Sequence, residues 1–209
     1  MKVLLVGSTG ATGKLALEKL LAAGHEVTAF ARTPSSIGVK NDRLKIAQGD
    51  ARDADALDRA VAGQDAVLSV LGPRSLKKDD LQEVYMRNLV GAMQKAGVKR
   101  LVNLSAFGAG ESRAVAPFFM KVLSSTILRN VYADKNRGEV RLFASGLDFV
   151  NVRPGQLLNK PARGNVRASK DATGLDPTKI TRDDLATFMV AQLTDSTWVR
   201  QSPIVGYPR

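Results

Sequence analysis

Near the start of the chain, Gly7-Ser8-Thr9-Gly10-Ala11-Thr12-Gly13 places a glycine at every third position, between a short aliphatic run and an apolar-periodic stretch. In that setting Gly7 permits a tight turn, Gly10 lets a pyrophosphate approach the backbone, and Gly13 lets the following helix pack against the strand. The unpaired N–H groups of the helix start, Ala11 among them, then face phosphate oxygens. Thr9 and Thr12 can add hydroxyl hydrogen bonds, or Thr12 can cap the helix. The residue ending the second strand discriminates between the dinucleotides: an acid there holds a free 2′-hydroxyl, whereas an arginine accommodates a 2′-phosphate through charge-assisted bonds. Arg32-Thr33 stands at that place. The expected cofactor is NADP(H) rather than NAD(H).

Two further turns fall at strand ends, where such sheets open their ligand crevice. Gly49-Asp50-Ala51 follows the third strand, and Asp50 can accept from an adenine amine, cap the helix near Asp53, or do both. Leu71-Gly72-Pro73-Arg74 follows the fourth; Gly72 lets the cofactor backbone pass, and Arg74 reaches either phosphate or solvent. With no cysteine and a single histidine, His25, the chain offers no disulfide, thiolate nucleophile or cysteine-ligated zinc, and no metal site is expected. The net charge of +11 is spread evenly, 15 of the 31 Lys and Arg lying in residues 1–99 and 16 in residues 100–209, with no basic run longer than two. This distribution indicates a generally basic surface that favours an anionic cofactor, not a dedicated nucleic-acid binder. The longest apolar stretch near the start, Val3 to Val6, is too short for a signal-peptide core or a membrane span. A cytoplasmic location with no membrane partner is expected.

The elements that must hold these turns alternate regularly. Strands are predicted at 2–6, 27–31, 44–48, 66–70 and 101–104, with helices at 14–23, 53–61 and 81–96. Such alternation predicts an α/β fold, a doubly wound parallel sheet with helices on both faces, in one domain spanning residues 1–209. Residues 109–144 read as mainly helical, and the cluster Phe118-Phe119-Met120 within them is expected to pack inside rather than line a pocket. A strand at 148–153 ends in Pro154-Gly155. Residues 156–178 read as loop with at most one short strand. Thr181-Arg-Asp-Asp184 has capping-box spacing ahead of a final helix, and 202–206 can form a last strand.

With these turns in order, followed by Ser105-Ala-Phe107 and Val152-Arg-Pro154, the chain resembles the atypical short-chain dehydrogenases over nearly its whole length. Within that group it is similar to the flavin reductase and biliverdin-IXβ reductase family, through Gly63-Gln-Asp-Ala-Val67, the Leu71-Gly72-Pro73-Arg74 turn and Ser105-Ala-Phe107. The glycine turn and Arg153-Pro154 also occur in the related redox-sensing regulators and sugar-nucleotide epimerases. The resemblance implies a Rossmann fold and hydride transfer from NADPH to an open, planar, conjugated acceptor such as a flavin. It places Ser105 beside the nicotinamide, Lys135 on the nicotinamide ribose and Pro154 along the cofactor, with the acceptor held by roughly residues 105–180 and its specificity set between Gly108 and Tyr132. The Tyr-x-x-x-Lys pair of typical short-chain dehydrogenases is not intact, because Tyr132 and Lys135 are one residue too close. An alcohol dehydrogenase or epimerase needs such a proton donor, whereas a flavin takes its proton from solvent. Pro154-Gly155-Gln156 lacks the histidine that some family members carry there, so a narrow bilin specificity is not implied. The competing reading is a non-catalytic sensor that binds NADP(H) and reports to a protein partner. The oligomeric state is not set by these features.

Overall fold

In the computed structural model, which describes residues 1–73 and 75–209, the first half of the chain follows the predicted alternation. It runs β1 (Lys2–Val6), α1 (Ala11–Ala22), β2 (Glu26–Ala31), β3 (Leu44–Gln48), α2 (Ala54–Val61), β4 (Ala66–Ser69), α3 (Leu81–Ala96) and β5 (Arg100–Leu104). The second half adds α4 (Phe118–Ser125), α5 (Arg129–Phe143), β6 (Asp148–Pro154), β7 (Gln156–Leu158), β8 (Arg167–Ser169), β9 (Leu175–Asp176), β10 (Lys179–Thr181), α6 (Arg182–Ala191) and β11 (Ile204–Pro208). The main sheet has the order β3-β2-β1-β4-β5-β6-β11-β8 and is parallel from β3 to β11. This is the doubly wound order, whose direction of winding reverses between β1 and β4, and ligands bind at the carboxyl ends of strands beside that reversal.

Burial explains why the strands are nearly pure aliphatic runs. Leu5, Val102 and Val205 point to one face, under Leu17 and Leu20 of α1 and Leu185 and Met189 of α6. Leu4, Val67 and Leu101 point to the other, under Leu57 of α2 and Tyr85, Leu89 and Met93 of α3. A strand covered on both faces has no polar side to alternate with.

Two expectations are corrected. Residues 156–178 hold three short strands, not one at most: β7 pairs with β10, while β8 and β9 run antiparallel to β11. Their partners are distant in sequence, so no local periodicity announces them. Core packing of Phe118-Phe119-Met120 holds only for Met120, which meets Phe107, Ala116 and Ile204. Phe118 and Phe119 are exposed, and the buried residue of α4 is Ser124, held inward by a hydrogen bond from Arg113 at 2.7 Å.

The glycine turn is dictated by contact distances. Gly7 has φ +87°, and a Cβ there would sit 2.8 Å from the Val70 backbone. At position 13 a Cβ would lie 2.0 Å from the Gly7 carbonyl oxygen, so α1 is pressed against the turn it leaves. Position 10, by contrast, has ordinary φ of −73° and open space, its nearest neighbour being Gly7 O at 3.4 Å. Gly13→Ala is therefore expected to destabilise the fold by roughly 1–3 kcal/mol, as overpacking does, whereas Gly10→Ala meets no clash and lowers the midpoint of chemical unfolding less, through the poorer N-cap it gives α1; a tolerated Gly13→Ala would refute the packing argument.

Candidate active site

At the carboxyl ends of β1 and β4 two cavities join over Gly10 and residues 70–73. The first, about 250 Å³, is lined by Gly7, Thr9, Arg32 and Ala51; the second, about 400 Å³, runs from Ala11, Thr12 and Gly13 to Ser105, Lys135 and Pro154. Leu71 and Gly72 belong to both. The fold thus gathers into one cleft residues spread from Gly7 to Pro154. Arg74 lies outside the described residues. Asp50 stands apart: its carboxylate accepts from the Arg52 backbone N–H at 2.9 Å, and its neighbours Gly49 and Ala51 line the cleft. It does not cap α2, because Asp53 occupies that place and accepts from Ala56 N at 3.1 Å.

The first cavity and the helix start suit a dinucleotide. No side chain caps α1 and no acid occupies its first turn, so its unpaired N–H groups and the positive end of its dipole are open to an anion. Thr12 does not cap the helix either; its hydroxyl accepts from Arg182 Nη1 at 3.0 Å. Space over the backbone at Gly72 is free of the other described residues, since a Cβ there would have none of them within 4 Å. Arg32 is exposed at the rim, and its guanidinium has no hydrogen-bond or ion-pair partner among the described residues. Ser8 anchors the turn from below by donating to Phe30 O at 3.1 Å.

The second cavity ends on a buried polar network. Ser105 follows β5, its backbone N–H fixed on Val152 O at 2.8 Å and its hydroxyl donating to Glu139 Oε1 at 2.5 Å. Glu139, 4% exposed, also accepts from Asn151 Nδ2 at 2.8 Å and pairs with Arg153 at 2.7 Å. Arg153, 1% exposed, reaches on to Glu111 at 2.6 Å. Its guanidinium holds the Glu111 carboxyl below the usual carboxylate range. Lys135 is buried, with Nζ donating to Leu104 O at 3.4 Å; desolvation lowers its pKa, opposed by the nearby carboxylates of Glu139 and Asp134. Tyr132 donates its hydroxyl to Phe107 O at 2.9 Å, and burial raises its pKa. The phenol is thus held by a backbone carbonyl.

Sequence reasoning assigned no site role to four members of this arrangement. Asn151 and Arg153 occupy alternate places among the apolar residues of β6, and Glu139 lies one helical turn beyond Lys135; both patterns signal buried polar partners. Arg182, the first residue of α6, lines the cleft beside Gly13 and is braced by Asn159 Oδ1 at 2.8 Å. Nothing local distinguishes it from a solvated arginine. Among the described residues, no three His, Asp or Glu are grouped to hold a metal ion, and no helix is long and apolar enough to cross a membrane.

Because burial lowers the pKa of Lys135, the folded chain binds fewer protons there than the unfolded chain as pH approaches the ordinary value of 10.5, and stability rises with pH across that window. Lys135→Met is expected to raise the thermal midpoint of the ligand-free protein at neutral pH, by an amount that shrinks toward pH 10.5. A lower midpoint at neutral pH would mean that attraction to Glu139 and Asp134 outweighs desolvation.

Comparison with known proteins agrees with this geometry. Residues 7–196 match the family described as NAD(P)H-binding. An uncharacterised chloroplastic protein of Arabidopsis thaliana is 32% identical over 209 residues, covering 92% of this chain and 71% of that protein. The chain spans only 35% and 31% of two other curated relatives. Two solved structures share the fold: the oxidoreductase ylbE of Lactococcus lactis (TM-score 0.84, 21% identity, covering 100% of this chain and 92% of that one) and the anaerobillin reductase ChuY of Escherichia coli O157:H7 (0.82, 23%, 100% and 98%). The matched span takes in the glycine turn, Arg32, Ser105, Lys135 and Arg182 alike, and the chain belongs to the NAD(P)H-binding family.

Proposed function

We propose that this protein is an NADPH-dependent reductase that delivers hydride to a planar conjugated acceptor such as a flavin. The observation that carries the reading is the engagement of the hydroxyls near the cleft: Tyr132 donates to Phe107 O and Ser105 to Glu139. A carbonyl-reducing or epimerising enzyme needs a positioned acid or base at the reacting oxygen, and here the phenol that would supply it is tied to the backbone. A flavin ring accepts hydride at nitrogen and takes the one balancing proton from water.

The residues divide the cofactor between them. Arg32 takes the 2′-phosphate at the open rim, the α1 N-terminus and Arg182 face the pyrophosphate, Lys135 reaches the nicotinamide ribose, and Ser105 lies beside the ring. NADPH, when bound, supplies the hydride. The chain's part is to hold two rings face to face in a site whose inner wall, from Leu104 to Glu139, is buried.

The test follows NADPH consumption, by loss of the reduced nicotinamide absorbance, with FMN, riboflavin, a quinone and a bilin as acceptors and NADH in parallel. Turnover with NADPH and one acceptor class is expected; tight binding without turnover on any acceptor would replace this reading with a sensor. Tyr132→Phe is expected to retain turnover within about threefold, where loss of a general acid costs roughly 10²–10⁴-fold.

Two arginine variants separate the ends of the cofactor. Arg32→Glu is expected to weaken NADPH binding by about tenfold or more and NADH binding little, while Arg182→Gln weakens both alike, since both carry the pyrophosphate. Isothermal titration of each variant with both dinucleotides gives the ratios, and equal losses for Arg32→Glu would overturn the 2′-phosphate assignment.

A further inference from the structure

Helix α4 is turned inside out. Phe118, Phe119, Val122 and Leu123 recur on it at i, i+1, i+4 and i+5, yet they are 81%, 59%, 44% and 39% exposed, and Val115 and Ile127 on the flanking turns are 45% and 65% exposed. Its inward residues are Ser124 and the half-buried Met120. An amphipathic helix ordinarily buries such a stripe against its own core. Leu76, 51% exposed, lies at the start of α5, the next helix, where Asn130 Nδ2 donates to its carbonyl at 3.2 Å. A contiguous apolar surface of this kind marks an interaction site.

The charge around it is mostly basic. From Ser112 to Ala133 the sequence contains Arg113, Lys121 and Arg129 and no acid, and Leu76 is followed by Lys77 and Lys78, then by Asp79 and Asp80, which pair with Arg52. Among the described residues Arg113 and Lys121 bond only neutral oxygens, those of Ser124, Ser125 and Ala114, and no carboxylate pairs with either. The acids that bracket the segment are engaged elsewhere: Glu111 on Arg153, and Asp134 buried against the backbone N–H groups of Gln82 and Glu83.

We propose that α4 and its basic rim form a docking surface for an anionic lipid bilayer, the helix lying in the plane of the interface with Phe118 and Phe119 at the acyl boundary. An apolar face bordered by cations meets both layers of such a surface at once, the acyl chains and the negative headgroups. A second copy fits less well, because a two-fold contact through this patch would set Arg113, Lys121 and Arg129 against their own equivalents. The net charge of +11 on the whole chain acts in the same direction. The sequence hides the surface, since apolar residues at helical spacing read as core. The patch lies within residues 108–132, where the resemblance sets acceptor specificity, but the proposal draws on none of the cofactor assignments.

The experiment is co-sedimentation of the full chain with phosphatidylcholine vesicles, with or without about one third phosphatidylglycerol. The comparison variants are Phe118→Ser with Phe119→Ser, and Lys121→Glu with Arg129→Glu. The wild type is expected to bind the anionic vesicles and scarcely the neutral ones, and each double variant to lose at least about tenfold in affinity. Because both phenylalanines are exposed, the serine variant should keep the wild-type thermal midpoint. Undiminished binding by the serine variant would reduce the effect to general basicity and overturn the proposal. Absence of vesicle binding, together with a dimer in light scattering that the serine variant dissolves, would make the patch a self-association face and overturn it equally.

Discussion

The ion pair between Arg153 on β6 and Glu139 on α5 is the contact from which the rest of the site hangs. Both residues are almost wholly buried, so each charge is tolerable only with the other present; removing one partner of such a pair costs about 3–5 kcal/mol. The pair also distributes its spare hydrogen-bonding capacity. The carboxylate of Glu139 accepts from Ser105 and Asn151, which fixes the ends of β5 and β6 against α5. The guanidinium reaches Glu111 and so pins the loop that leaves β5. That loop passes close enough that a Cβ at Gly110 would lie 2.5 Å from Arg153 Nη2 and 2.8 Å from Glu139 Oε2, and Gly110 itself has φ +52°. Only glycine satisfies both demands. A hydrophobic substitute for the pair could leave stability intact, but Ser105 would then lose its acceptor and the loop its tether.

The phosphate end of the cleft is assembled from opposite ends of the chain. Gly7 and Gly13 set the path of the turn by contact, and Arg182, 170 residues beyond Thr12, closes over it with a hydrogen bond to that threonine. Arg182 is placed there because Thr181 caps α6, its side chain accepting from Asp184 N, and because Asp184 in turn accepts from the Tyr207 hydroxyl of β11 at 2.6 Å. Tyr207 also receives the Thr181 N–H at 3.0 Å. The last strand therefore holds the helix that holds the arginine. Its contribution to the cofactor end is indirect and depends on tertiary order alone.

What could be read from sequence follows from what is local. β1, β3 and α3 have the predicted limits, because each is a short aliphatic run or a 3.6-residue pattern bounded by its own turn residues. The glycine turn was legible from its spacing, and Gly13 answers a constraint within the turn itself, whereas the close approach that demands Gly7 comes from Val70, just past the end of β4. Thr12 and Asp50 were less so: whether a short polar side chain caps its helix or turns to another partner depends on an arginine 170 residues away in one case and on Arg52 N in the other. Strands β7 to β10 exist only through pairings with one another or with β11, and Phe118 and Phe119 are apolar without being buried. Glu139 and Arg153 were each visible as charges, but their pairing joins two elements and is a property of the fold.

These constraints bear on what the site can do with protons. Ser105 gives its hydrogen to a carboxylate that an arginine already neutralises, Tyr132 gives its hydrogen to a peptide oxygen, and Lys135 is kept from water at an energetic cost. Groups so committed are poor carriers of protons, because transferring one would break a buried hydrogen bond whose desolvated partner has no replacement. They are well suited to holding a ring and a ribose in a fixed orientation. A chemistry that moves hydride between stacked rings, and leaves the proton to water, demands no more of them than that.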